Sequence, residues 1–178
     1  MDSDGRMAEL ILYVSDRCQA DPAYGATKLN KILFYADFQH YAKHGKSITG
    51  QEYMRLGKGP VPRHLVPVLN RLVQEHHLVV REAPYGASRQ KRPIALRSAD
   101  VSGFNGEEIA TVDSVIARFW GMSATEVSEK SHEFNGWKLA PNRETIPYDM
   151  ALLVDCEPSR EDHAFALELG REYAAARA

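Results

Sequence analysis

Short stretches of this sequence carry residue types that could do chemistry. Gly45-Lys46-Ser47 has the ending of a phosphate-binding loop, in which backbone amides and a lysine cradle phosphate oxygens. That loop needs a glycine five residues earlier, where His40 stands, and a preceding strand, where a helical pattern runs. His132-Glu133 opens like the helix of a zinc protease, but the second imidazole would fall at Gly136, so no ligand pair forms. Gly86-Ala87-Ser88-Arg89-Gln90 lacks the closing glycine of a nucleophile elbow. Ser88 and Lys91 have the spacing of a Ser–Lys pair, but a lysine in a charged turn stays hydrated and protonated. His40 and His44 can share a helix face, without a third ligand in sight. Cys18 and Cys156 form no CxxC pair. No nucleophile, base and oxyanion donor stand together. The residues therefore predict no catalytic group, no cofactor and no metal.

The chemistry left is electrostatic. The net charge is −2, yet Arg55 to Arg97 holds nine basic residues against two acids, and Glu144 to Leu169 holds seven acids against one base. Such polarity favours a charged partner, or the two regions face each other within the fold. Arg55, Lys58, Tyr85, Arg89, Lys91 and Arg92 are the candidate partner contacts. Arg89, Lys91 and Arg92 beside Tyr85 could grip phosphates while a helix carrying Arg63 and Arg71 lay in a major groove. The helix over Pro62–Gln74 offers chiefly Arg63, Asn70, Arg71 and Gln74 for reading bases, which is a thin set. An acidic protein surface suits the same cations.

Positioning these residues falls to a mainly α chain with a small β element. Met7, Leu10, Ile11, Val14 and Cys18 predict an amphipathic first helix, ended by the turn Asp21–Gly25. Thr27 is expected to cap a second helix to about Lys43, apolar on most sides and hence central, with Gly45 as its stop. Ile48 to Leu56 reads as loop and a short extended piece. Gly57-Lys58-Gly59-Pro60-Val61-Pro62 reads as a fixed irregular turn, with Pro62 in the first turn of the next helix. That helix would bury Leu65, Val66, Val68, Leu69, Leu72 and Val73 on one side. Leu78–Arg81 and Arg92–Arg97 predict a hairpin around a turn at Pro84–Ser88, giving a winged-helix-like pattern. Asn105 with Glu108, and Ser123 with Glu126, predict two capped helices. Glu133–Asn142 reads as a loop holding Trp137, and Ser159 with Asp162 opens a last helix.

The length of 178 residues, 44% of them hydrophobic and 26% charged, suits a single domain over 1–178. No apolar run reaches the length of a membrane span, the acidic start lacks the pattern of a secretion signal, and the cysteine usage suits a reducing cytoplasm.

Three stretches together resemble a known family. Lys28-Leu29-Asn30-Lys31-Ile32-Leu33-Phe34-Tyr35-Ala36, Gly45-Lys46, and Gly57-Lys58-Gly59-Pro60-Val61 are similar, in this order, to the motifs of the Panacea domain of SocA-like antitoxins. Ser131-His132 with Trp137 resembles a fourth motif, with Gly136 where members carry proline. Met54 lies near where members often have tryptophan, and Lys58-Gly59-Pro60 lacks the usual tyrosine. The likeness covers about residues 5–155, leaving a C-terminal helical extension at about 156–178. It implies a helical domain with a short β element, no enzymatic activity, and a cognate toxin protein held by direct contact. The family-motif residues Lys28, Leu29, Lys31, Leu33, Tyr35, Gly59, Pro60, His132 and Trp137 are expected to be structural. The alternative reading is a winged-helix DNA-binding regulator, and a more distant one a small enzyme. A membrane is not expected as partner, and self-association into a homo-oligomer stays open.

Overall fold

The computed structural model describes residues 1–86, 88–153, 164–165 and 167–168. Two helices lead the chain, α1 (Ser3–Arg17) and α2 (Ala26–His44). Asp2 caps α1 through its carboxylate, which accepts from the Gly5 amide at 2.8 Å. Gly45 ends α2 in the left-handed conformation that glycine adopts without a Cβ penalty. The expected Thr27 cap is corrected: Gly25 holds that position, with no side-chain cap, and Thr27 lies inside the first turn.

The segment Gly57–Pro62 is not irregular. Strands β1 (Tyr53–Leu56) and β2 (Gly59–Pro62) form an antiparallel hairpin around Gly57-Lys58. The prolines fit because of register. Pro60 and Pro62 lie opposite Arg55 and Tyr53. Arg55 spends its own backbone groups on the other side, donating to Glu144 O and accepting from Arg143 N–H. The proline nitrogens therefore sit where β1 requires no donor. Pro62 ends β2 rather than entering a helix. The helix α3 (Leu65–Gln74) starts three residues later, with Pro67 in its first turn.

Leu65, Val68 and Leu72 of α3 are buried as expected, but Val66 is 62% exposed and Val73 is 39% exposed. The second hairpin, β3 (Leu78–Tyr85) with β4 (Ser88–Ala95), runs further than the sequence suggests, because Pro84 and Tyr85 stay paired with Arg89 and Ser88. Both predicted capping boxes are present, at the start of α4 (Gly106–Phe119) and of α5 (Ala124–His132). The expected loop around Trp137 contains a short helix, α6 (Asn135–Leu139). Strand β5 (Thr145–Ile146) then pairs with β1, giving the order β2-β1-β5, and a 3-10 turn follows at Tyr148–Leu152. The last helix expected from Ser159 lies outside the described residues.

Helix α2 is central, packed by α1, α4, α5 and β2. One core joins Leu10, Ile11, Leu29, Leu33, Leu72 and Phe119. A second, aromatic cluster joins Phe34, Phe38 and Tyr53, with Phe134 and Tyr148 against it. Being central, α2 also buries charge. Lys28 Nζ meets Asp21 Oδ2 at 2.7 Å, each side chain 1% exposed. Asp37 accepts from the Thr49 amide, the Thr49 hydroxyl and the Tyr53 hydroxyl. Burial raises the Asp37 pKa, and those donors work against the rise. Asp21→Ala should cost about 3–5 kcal/mol in urea unfolding, since it strands the Lys28 ammonium in the interior. Asp21→Leu combined with Lys28→Met should recover most of that loss.

Candidate protein-docking surface

Three of the motif segments, far apart in sequence, meet at Gly59-Pro60, the start of β2. Asn30 Nδ2 and Lys31 Nζ, from adjacent positions of α2, both donate to Pro60 O, at 3.0 and 3.2 Å. Ser131 of α5 faces the same spot. A Cβ at Gly59 would collide with Lys31 Nζ and Ser131 Oγ, and Gly59 has φ +101°, where only glycine is unstrained. Trp137 Nε1 donates to Leu56 O at 2.9 Å, at the start of the hairpin turn. The Trp137 indole is a shared plate. His132 stacks on it at 4.1 Å between ring centroids, and the Arg55 guanidinium lies 4.6 Å from the ring centroid. Arg55 Nε also donates to Trp137 O at 2.9 Å. Gly136, the departure from the motif, is buried where a Cβ would strike Phe134, Met150 and Ile146.

Electrostatically the knot is dry. Lys31 has no exposed surface, and burial pulls its ammonium from the ordinary 10.5 down to about 7. Burial, then the nearby Lys31 charge, pushes His132 below its usual value. Asn30 Oδ1 and His132 Nε2 are buried with no hydrogen-bond partner among the described residues. An amine that gives up its proton near neutral pH is a nucleophile in principle, but no surface of Lys31 is open to a substrate. What this arrangement does is hold β1–β2 in one shape and present Lys58 at its exposed tip.

The remaining motif residues are framework. Leu29 and Leu33 are core, Lys28 pairs with Asp21, and Tyr35 packs edge-on against Phe119. Sequence reasoning missed Asn30, Ser131 and Gly136 as separate contributors, although all three stand inside the quoted motifs.

The candidate contacts divide. Arg92 points inward and donates to the carbonyls of Gln19, Asp21 and Tyr24, fastening the hairpin to the end of α1. Arg55 is equally committed, to Trp137. Lys58, Arg89 and Lys91 are exposed, and Tyr85 is 36% exposed. Gln90, on the other face from Arg89 and Lys91, reaches Pro22 O. The two cations expected to support DNA binding from α3 are engaged as well. Arg63 bonds Glu52 and Thr145, and Arg71 bonds Asp4 O. His40 and His44 stack at 4.3 Å. Among the described residues no group of three or more His, Cys, Asp or Glu could hold a metal, and no helix is long and apolar enough to cross a membrane.

A family model described as "Antitoxin SocA-like, Panacea domain" matches residues 29–138, a span that runs from α2 through Trp137. No curated protein and no solved structure matches the chain.

Two outcomes test the knot. Gly59→Ala should destabilise by about 3 kcal/mol or more in urea, from backbone strain and collision with Lys31. Lys31 gives a pH signature. Between its lowered folded value and the ordinary one, the unfolded chain binds the extra proton, so stability rises with pH. Burial raises Cys18 to about 12, so the unfolded thiol ionises first, and this opposes the rise above pH 9, its ordinary value. From pH 7 to 9 the wild type should therefore gain up to about 2 kcal/mol relative to Lys31→Met, read by urea titration.

Proposed function

The chain belongs to the SocA-like antitoxin family that carries the Panacea domain, and from that membership we propose that it neutralises a cognate toxin by direct protein–protein contact in the cytoplasm, transforming no substrate itself. The family match over 29–138 carries this reading. The geometry supports it in two ways. Asn30, Lys31, Ser131 and Trp137 are turned in on the first hairpin around Gly59-Pro60, and Lys31 has no surface open to a small substrate. The surface they hold in place is preformed, so docking it costs little ordering entropy.

The docking face proposed is the basic one: Lys58 on the first hairpin tip, with Tyr85, Arg89 and Lys91 on the second. Exposed cations of this kind speed capture of an acidic target more than they deepen affinity. A DNA-binding role has less behind it, because Arg63, Arg71 and Arg92 are all occupied within the chain.

The test is co-expression with the product of the neighbouring gene. Growth arrest by that product alone, relieved by this chain with a complex that co-purifies, is the expected result. A harmless neighbour, or relief without association, would overturn the reading. Lys58→Glu combined with Arg89→Glu should slow association about tenfold or more at low salt, with the difference shrinking as salt rises and melting unchanged. If duplex DNA is instead retained, and lost on Arg89→Ala with Lys91→Ala, the regulator reading takes its place.

A further inference from the structure

Beside the second hairpin lies a groove of about 570 Å³ that the docking face alone does not explain. Val66, Leu69 and Val73 of α3 line one wall, Val80 and Pro93 of the sheet the other. Val66, Val73 and Val80 stay in water, although Leu65, Val68 and Leu72 of α3 are buried. The groove continues into a second cleft of about 240 Å³, and Ala26 and Lys91 line both. Arg89, Lys91 and the first turn of α2 surround that cleft. The α2 N-cap is Gly25, which supplies no side-chain cap; the Gln90 side-chain oxygen and the Lys91 carbonyl stand against it, and Lys91 with the Glu82-paired Arg89 carries the positive charge of this end. Among the described residues no carboxylate lines either cavity. Glu82 reaches Arg89 across the hairpin at 3.0 Å, and among the described residues no carboxylate pairs with Lys91.

The trough is thus apolar at one end and electropositive at the other. We propose that it seats a short acidic segment of a partner protein, with apolar side chains held between α3 and the sheet and carboxylates met by Lys91 and Arg89. Charge complementarity selects that occupant. A basic segment would bring like charge against two cations, and a purely apolar one would leave the cationic end unused. Assigning the segment to the toxin rests on the antitoxin reading; the trough's preference for an acidic, apolar-anchored chain does not.

The full chain is titrated, by fluorescence anisotropy, with short labelled peptides anchored by leucines and ending in a run of glutamates, beside counterparts ending in lysines. The glutamate peptides should bind about tenfold or more tightly than the lysine ones. Val73→Asp and Lys91→Glu should each weaken them about tenfold. Both residues are exposed, so the melting temperature should hold. Equal binding of both peptide types, or binding untouched by both variants, overturns the proposal. So does self-association that Val73→Asp abolishes, which assigns the groove to a second copy. A synthetic peptide of residues 154–178 binding most tightly of all would assign the trough to the chain's own acidic end, and would also overturn it. Peptide binding without growth rescue would remove the antitoxin reading and leave the trough. Rescue without peptide binding would do the reverse.

Discussion

A central helix that carries charge must bring its partners in with it, and this constraint organises the molecule. Helix α2 is packed on nearly every side, yet buries Lys28, Asn30, Lys31 and Asp37. Each polar group taken from water without a partner costs free energy on the scale of the whole fold's stability. The partners come from the turn after α1 and from the first hairpin with the loop that leads to it. Asp21 draws in the turn after α1, Pro60 O draws in the first hairpin, and Thr49 with Tyr53 draws in the loop before it. The loops are shaped by the needs of the helix they surround.

This explains why the motif residues are spread over the chain and converge in space. Lys31 reaches outward from α2, Gly59 leaves room for its amine, and α5 and α6 close the other side with Ser131, His132 and Trp137. The cluster resembles an active site in its residue types but not in its access. Its product is a hairpin of fixed shape. Arg92 plays a parallel part for the second hairpin by tying it to the end of α1 through backbone carbonyls.

Much of the helical frame was legible in the sequence, because periodicity and capping boxes act locally. Asn105 with Glu108 and Ser123 with Glu126 are visible without any tertiary knowledge. The Gly57–Pro62 stretch misled because proline content argues against a strand, whereas register decides it; the pairing with Arg55 and Tyr53 and the third strand at Thr145 cannot be seen locally. Val66 and Val73 misled for a related reason. Helical spacing says which residues share a face, but not how wide a stripe the neighbours cover. Among the basic residues, charge pattern could not separate Arg55 and Arg92, which face inward, from Lys58, Arg89 and Lys91, which do not. The resemblance supplied what spacing could not, namely that scattered segments belong together.

The two prolines of β2 have one more effect. Their ring nitrogens face away from β1, on the side that α2 covers, and the Pro60 carbonyl is already taken by Asn30 and Lys31. That rim therefore offers an incoming strand neither a hydrogen to accept nor, at Pro60, an oxygen to share. The sheet cannot grow there, so the hairpin carries its own guard against edge-to-edge pairing.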